Sequence, residues 1–285
     1  MEVKKIMVLG AGIMGSGIAQ VCAQAEISAI LVDINEELVK KGMKSITSGL
    51  EKLVSRKRIT SEDKEAILSR IILSTDKSAG KDVEVVIEAI PEVFEIKKET
   101  LEELDKICPS QTIFASNTSS ISITKLASTT SRPDKFIGMH FFNPVPLMRG
   151  LEIIRGYLTS EETFNTIMEL GAKLKKQTIA AQDFPAFLAN RIGVPLINEA
   201  IFALWEGIGT KEDIDKAMKV CFNHPMGPLQ LADLVGLDTL LHVLEVMYEG
   251  FKESKYRPCP LLKQMVDAGC LGRKTGRGFY EYGEE

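Results

Sequence analysis

The chain has 285 residues, 45% hydrophobic and 26% charged, the balance of an ordinary globular protein with enough length for two cores. Its formal net charge of -4 gives no electrostatic reason to expect nucleic acid or an anionic membrane as a partner. No window approaches the roughly 20 apolar residues that span a bilayer, which excludes a helical membrane span.

The first residues, MEVKKIMVLGAG, lack the features of a secretory signal and start almost at once with a strand-like run. Five widely spaced cysteines (Cys22, Cys108, Cys221, Cys259, Cys270) form no C-x-x-C pair. Cys221 and His224 make an isolated C-x-x-H that reads as a packing accident. The expectation is a cytoplasmic protein with reduced thiols and no metal site.

Short apolar runs ending in small or polar residues alternate with helical stretches. KKIMVLG (4–10), AILVD (29–33), VEVVIEAI (83–90), TIFAS (112–116) and KFIGMH (135–140) suit strands buried on both faces. LEIIRG and QTIAAQ add two more, around Glu152 and Ile179. Helices are predicted over 14–25 and 93–107. The alternation predicts an α/β fold, a Rossmann-type doubly wound sheet.

Residues 36–69 interrupt the rhythm. Leu38, Ile46, Leu50 and Leu53 fall on one helix face, and RITSED supplies a turn with Ser61 as cap, so a helical hairpin is predicted. It carries SRKR (55–58), the densest basic cluster in the chain. Beyond QDFPAF strand-like runs are scarce. Pro185 suits the first turn of a long helix that Pro195 kinks, and further helices are predicted over 211–220, 237–251 and 260–268. The division expected is a sheet domain over 1–183 and an all-helical C-terminal domain over 184–285.

Gly10-Ala11-Gly12-Ile13-Met14-Gly15 has the G-x-G-x-x-G spacing, weak alone but here closing a strand and opening a helix. Gly10 allows the tight turn, Gly12 lets backbone N–H groups approach a diphosphate, and Gly15 permits close packing of helix on strand. The phosphates then sit at the positive helix end. Asp33 closes the second run and is placed to accept from ribose hydroxyls. Ile34-Asn35-Glu36 offers no arginine for a 2′-phosphate, so NAD is favoured without excluding NADP.

Five further motifs follow: ASNTSSISI (115–123), GMHFFNPVP (138–146), Asn190-Arg191, NHPMGP (223–228) and GRKTGRGFY (272–280). Together, in this order and across essentially the whole chain, they resemble the 3-hydroxyacyl-CoA dehydrogenase family, and the length resembles its short bacterial 3-hydroxybutyryl-CoA members. The resemblance implies that His140 is the general acid/base and Glu152 its orienting carboxylate. An imidazole can accept a hydroxyl proton as hydride leaves carbon, and a carboxylate on its other nitrogen fixes the tautomer. On its own, a histidine at a strand end reads as packed.

By the same resemblance Ser119 touches substrate and nicotinamide, Asn143 binds the nicotinamide ribose or amide, and Asn190 holds the reacting oxygen. Glu92, Lys97 and, more loosely, Lys274 match cofactor-contacting positions. Read singly, Ser119 is a cap, Asn143 a turn former and the charges solvated. Lys52 and Arg56 on the hairpin could meet the phosphates of an acyl-CoA substrate.

Two residues depart from the family pattern: Ala186 stands at a usual glycine and could narrow the acyl pocket, and Gln230 stands at a usual glutamate. The function implied is interconversion of (S)-3-hydroxyacyl-CoA and 3-oxoacyl-CoA, short-chain, by a homodimer joined through the helical domain. The alternatives are a dehydrogenase of a free hydroxy acid or sugar acid, and a non-catalytic, crystallin-like relative.

Overall fold

Seven of the eight strands grow from those apolar runs. The structure, a computed structural model, describes residues 2–283. In its first unit, Met1–Asp183, the chain forms β1 (Lys5–Leu9), α1 (Ile13–Gln24), β2 (Ser28–Val32), α2 (Glu36–Ser55), α3 (Ser61–Ser69) and β3 (Ile71–Ser74). Then come β4 (Val85–Glu88), α4 (Phe94–Ile107), β5 (Ile113–Ser116), α5 (Ile123–Ala127), β6 (Phe136–Phe141), β7 (Gly150–Arg155), α6 (Glu161–Lys173) and β8 (Gln177–Gln182).

The strand order is β3-β2-β1-β4-β5-β6-β7-β8. Strands β1 to β6 run parallel, β7 turns antiparallel against β6, and β8 runs parallel to β7. This is the doubly wound sheet that the alternation predicts. Its winding reverses between β1 and β4, and ligands of such sheets bind outside the carboxyl ends of the strands at that switch. Strands β4, β5 and β6 are buried along their whole length, as continuous apolar runs require.

The exception is β3, which the sequence reading left out. It is a four-residue edge strand that is buried only at Ile71. The hairpin spans α2 and α3, but Thr60, not Ser61, caps the second helix: its hydroxyl accepts from Asp63 N–H while the Asp63 carboxylate accepts from Thr60 N–H. In α2 the buried face is Val39, Ile46 and Leu50, with Leu38 only half-buried.

The second unit, Phe184–Glu285, is helical: α7 (Ala189–Trp205), α8 (Lys211–Cys221), α9 (Pro228–Val235), α10 (Leu237–Phe251) and α11 (Pro260–Asp267). Pro195 lies inside α7, but Pro185 does not start it. Ala186 (φ 66) and Phe187 (φ 56) both adopt left-handed backbone first, and the helix begins only at Ala189. At Ala186 the backbone takes a positive φ, which glycine adopts without a steric penalty. Gly236 at φ 99 separates α9, a helix the sequence reading did not place, from α10, which spans the predicted 237–251.

Two buried aspartates stitch this unit together. Asp233 accepts from Phe279 N–H, Tyr280 N–H and Tyr282 O–H, each at 2.9 Å. Asp215 accepts from Leu229 and Gln230 N–H and from the Tyr280 hydroxyl. The apolar stretch from α9 into α10, read as a subunit surface or as core, divides: Leu237, Leu240, Leu244 and Met247 are core, whereas Leu234, Val235 and Tyr248 are exposed.

All five cysteines are free, and burial pushes the Cys22 thiol up to about 12 and the Cys108 thiol up to about 11. Among the described residues no cluster of three or more His, Cys, Asp or Glu could hold a metal, and no helix is long and apolar enough to cross a membrane.

Candidate active site

The carboxyl ends of β1, β4, β5 and β6 all emerge on one edge of the sheet, and the residues that follow them gather there. After β1, Gly10 turns the chain at φ 93, a conformation that costs glycine nothing. A Cβ on Gly15 would lie 1.7 Å from the Gly10 carbonyl oxygen, so α1 meets the turn at a distance only glycine allows. Gly12 differs: it caps α1, no side chain caps the helix with it, and a Cβ there would meet nothing within 4 Å. Ile13 is 77% exposed beside it, and Met14 packs partly against the core.

Asp33, just after β2, accepts from Ala11 N–H at 2.6 Å and from Ile34 N–H at 2.7 Å. Ala11 therefore spends its amide on Asp33, and the carboxylate is held facing the glycine loop. This donor set fits a dinucleotide: an uncapped helix N-terminus and open space over Gly12 for a diphosphate, and a fixed carboxylate for ribose hydroxyls.

His140 and Glu152 sit directly opposite each other across the antiparallel pair of β6 and β7. That register places His140 Nδ1 2.7 Å from Glu152 Oε2, with the imidazole side chain 8% exposed and the carboxylate fully buried. A carboxylate only accepts, so this contact places the imidazole proton on Nδ1. The Phe142 ring lies 4.6 Å from the imidazole, centroid to centroid. Asn143 follows on the exposed loop that joins the two strands.

Between these two sites lies a cluster the sequence reading saw only in part. Lys97 on α4 is 1% exposed, and its ammonium binds Glu88 Oε1 (2.6 Å), Glu92 Oε2 (3.1 Å) and the Ile90 carbonyl (3.2 Å). Three acceptors use all three donors of an ammonium. Glu92 in turn accepts from the Thr118 hydroxyl, Ser119 N–H (3.1 Å) and the Ser120 hydroxyl (2.9 Å). Burial pushes the Glu92 carboxyl up, but the Lys97 ammonium and the Thr118 and Ser120 hydroxyls outweigh it and hold the group below its ordinary range.

Glu88 and Ser116, the last residues of β4 and β5, were missed as site residues, although Glu88 is a charge at the end of an apolar run, which is informative when buried. Asn117 was missed too: its side-chain oxygen accepts from Phe141 N–H at 2.9 Å and ties the Ser119 segment to the strand of His140.

In the helical unit Asn190 lies half-buried in the first turn of α7, and the Lys274 ammonium contacts both oxygens of Asp238 at 2.5 Å. Lys52 stands exposed in the last turn of α2 and Arg56 caps its C-terminus. A groove of about 550 Å³ on the same helix is lined by Lys40, Met43, Lys44 and Thr47, nearer its N-terminus than Arg56.

Two family models cover almost the whole chain. Residues 5–184 match the 3-hydroxyacyl-CoA dehydrogenase NAD binding domain, and residues 187–282 match the 3-hydroxyacyl-CoA dehydrogenase C-terminal domain. The chain belongs to the 3-hydroxyacyl-CoA dehydrogenase family.

Within this family it is 51% identical over 280 residues to a 3-hydroxybutyryl-CoA dehydrogenase of Bradyrhizobium diazoefficiens, covering 98% of this chain and 96% of the relative. It is also 42% identical over 287 residues to the mitochondrial hydroxyacyl-coenzyme A dehydrogenase of Homo sapiens, covering 98% of this chain and 91% of that one. The crystal structure of (S)-3-hydroxybutyryl-CoA dehydrogenase from Ralstonia eutropha superposes with a TM-score of 0.97 at 48% identity, covering 99% of this chain and all of the other. The dinucleotide of this family member is accordingly NAD.

Proposed function

We propose that the protein is an NAD-dependent oxidoreductase that interconverts (S)-3-hydroxyacyl-CoA and 3-oxoacyl-CoA, with 3-hydroxybutyryl-CoA and acetoacetyl-CoA as its short-chain pair. The observation that carries the chemistry is the buried His140–Glu152 contact at 2.7 Å on the carboxyl edge of the sheet. NAD, when bound, supplies the acceptor for hydride from the alcohol carbon. Gly10, Gly12, Gly15, Ile13 and Met14 shape its diphosphate cradle, and Asp33 takes the ribose.

With Nδ1 committed to Glu152, His140 takes the hydroxyl proton at Nε2 as the carbonyl forms and returns it in reduction. Glu152 stabilises the imidazolium that results. Ser119 orients the hydroxyl beside the nicotinamide, Asn143 holds the nicotinamide end, and the Asn190 amide donates to the reacting oxygen. Glu92 holds the Ser119 amide, and Lys97, with its three donors engaged, serves the cofactor through Glu92 rather than by direct contact. Lys274 ties its own turn to Asp238 in the first turn of α10.

The test is a set of initial rates with acetoacetyl-CoA, longer 3-oxoacyl-CoAs and free acetoacetate, each with NADH and NADPH. The expected result is fastest turnover of acetoacetyl-CoA with NADH. Equal turnover of free acetoacetate would place the protein with dehydrogenases of free acids, and binding of NADH without turnover would make it a non-catalytic relative.

The phosphorylated end of CoA is assigned to the basic end of the hairpin. Arg56→Glu is expected to raise KM for acetoacetyl-CoA about 5-fold with kcat unchanged, as loss of one charge-assisted contact worth ~1 kcal/mol predicts. An unchanged KM removes Arg56 from the site. The reading includes a cytoplasmic homodimer joined by the helical unit, supported by the exposed Leu234, Val235 and Tyr248. Light scattering on the eluted protein measures its mass.

A further inference from the structure

Glu88 ends a strand whose other residues are Val85, Val86 and Ile87, and its side chain is fully buried. For stability alone, packed apolar side chains serve such a position as well as or better than an ion pair. The carboxylate instead collects donors from segments that build the carboxyl edge. Oε1 accepts from the Lys97 ammonium at 2.6 Å and from Ile90 N–H at 2.8 Å, and Oε2 accepts from the Ser116 hydroxyl at 2.6 Å. Ser116 Oγ then accepts from Thr118 N–H at 3.2 Å, and the Glu88 carbonyl accepts from Asn117 N–H at 2.8 Å.

We propose that Glu88 is a positioning residue for the dehydrogenase reaction, fixing through Lys97 and Ser116 the two loops that present Glu92 and Ser119. The proposal rests on the function assigned above and extends it to a residue whose side chain is fully buried. The route is continuous. Carboxylate Glu88 holds ammonium Lys97, which holds carboxylate Glu92, which holds the Ser119 amide. A parallel route runs from Glu88 through Ser116 to Thr118, whose hydroxyl also accepts from Ser120 N–H (3.2 Å) and Ile121 N–H (2.9 Å). Asn117 carries the same segment to Phe141, the neighbour of His140. The cluster brings two carboxylates to one ammonium, and of the two only Glu92 reaches solvent, its side chain 31% exposed.

The experiment compares wild type, Glu88→Gln and the double variant Glu88→Gln/Lys97→Met by thermal melting, NADH affinity and steady-state rates on acetoacetyl-CoA. Glu88→Gln keeps the shape but leaves the Lys97 ammonium without its buried counter-charge, so Tm is expected to fall. With it, kcat is expected to fall about 10–100-fold, the scale of loss from displacing reacting groups by fractions of an ångström to 1 Å. The double variant removes both charges and is expected to recover Tm while kcat stays low and NADH binds more weakly than to wild type.

A double variant that recovers both Tm and wild-type kcat makes the cluster purely structural and overturns the proposal, as does Glu88→Gln with undiminished kcat. Wild type that binds NADH yet never turns over would sink the dehydrogenase reading first, and this proposal with it. The wild-type arm therefore separates the two failures.

Discussion

Replacing His140 by glutamine is expected to lower kcat for acetoacetyl-CoA reduction by about 10²–10⁴, or ~3–5 kcal/mol of transition-state stabilisation, with NADH affinity and Tm close to wild type. Glutamine preserves much of the volume of a side chain that is 8% exposed, and its amide can still donate to Glu152. What it cannot do is accept a proton and return it. The expected signature is therefore loss in kcat without loss of folding or coenzyme binding, measured by stopped-flow absorbance at saturating NADH. If His140 were only a packed strand-end residue, the variant would lose some stability and keep its rate.

A second pair of variants separates folding from binding in the glycine loop. Gly15→Ala is expected to destabilise the first unit by about 3 kcal/mol and to lower Tm by roughly 6–12 °C. The added carbon would sit 1.7 Å from the carbonyl oxygen of Gly10 and 2.9 Å from its carbon. Gly10 has no room to retreat, because its own Cβ position is 2.5 Å from the Ala89 oxygen.

Gly12→Ala meets nothing within 4 Å. It is expected to lose no more than roughly 3 °C in Tm, the scale of a weak N-cap exchange, while the methyl group blocks the diphosphate and raises the NADH dissociation constant about 10-fold or more. Differential scanning fluorimetry and NADH fluorescence read the two quantities separately. Wild-type NADH affinity in Gly12→Ala would move the diphosphate away from this loop.

Much of the sheet was legible because its strands are apolar on both faces and interrupted by turn-forming residues. The strand that escaped, β3, is short, lies at the sheet edge and buries only its first residue, so it leaves no such run. Boundaries that depend on backbone conformation were harder to place. Pro185 suggested a helix start, yet Ala186 and Phe187 both take left-handed backbone before α7 begins. Nothing in their residue types announces that geometry, although the family's usual glycine at 186 is its trace.

The contact between His140 and Glu152 follows from a strand-loop-strand spacing, because an antiparallel return places the two residues opposite each other. The Glu88–Lys97–Glu92 cluster was only half visible. Its members come from β4, α4 and the loop between them, and only the folded sheet reveals that Lys97 is buried rather than solvated.

In the proposed mechanism Glu152 acts through His140 on a proton in flight. A double-mutant cycle of His140→Gln and Glu152→Gln, read as kcat at saturating NADH and acetoacetyl-CoA, is the decisive measurement. Residues that act as one unit are strongly non-additive, so Glu152→Gln is expected to cost about 10–10³-fold in the wild-type background and almost nothing once His140 is glutamine. Equal factors in both backgrounds would mean that the carboxylate serves the protein by some other route and that the pair is not the proton-transfer device.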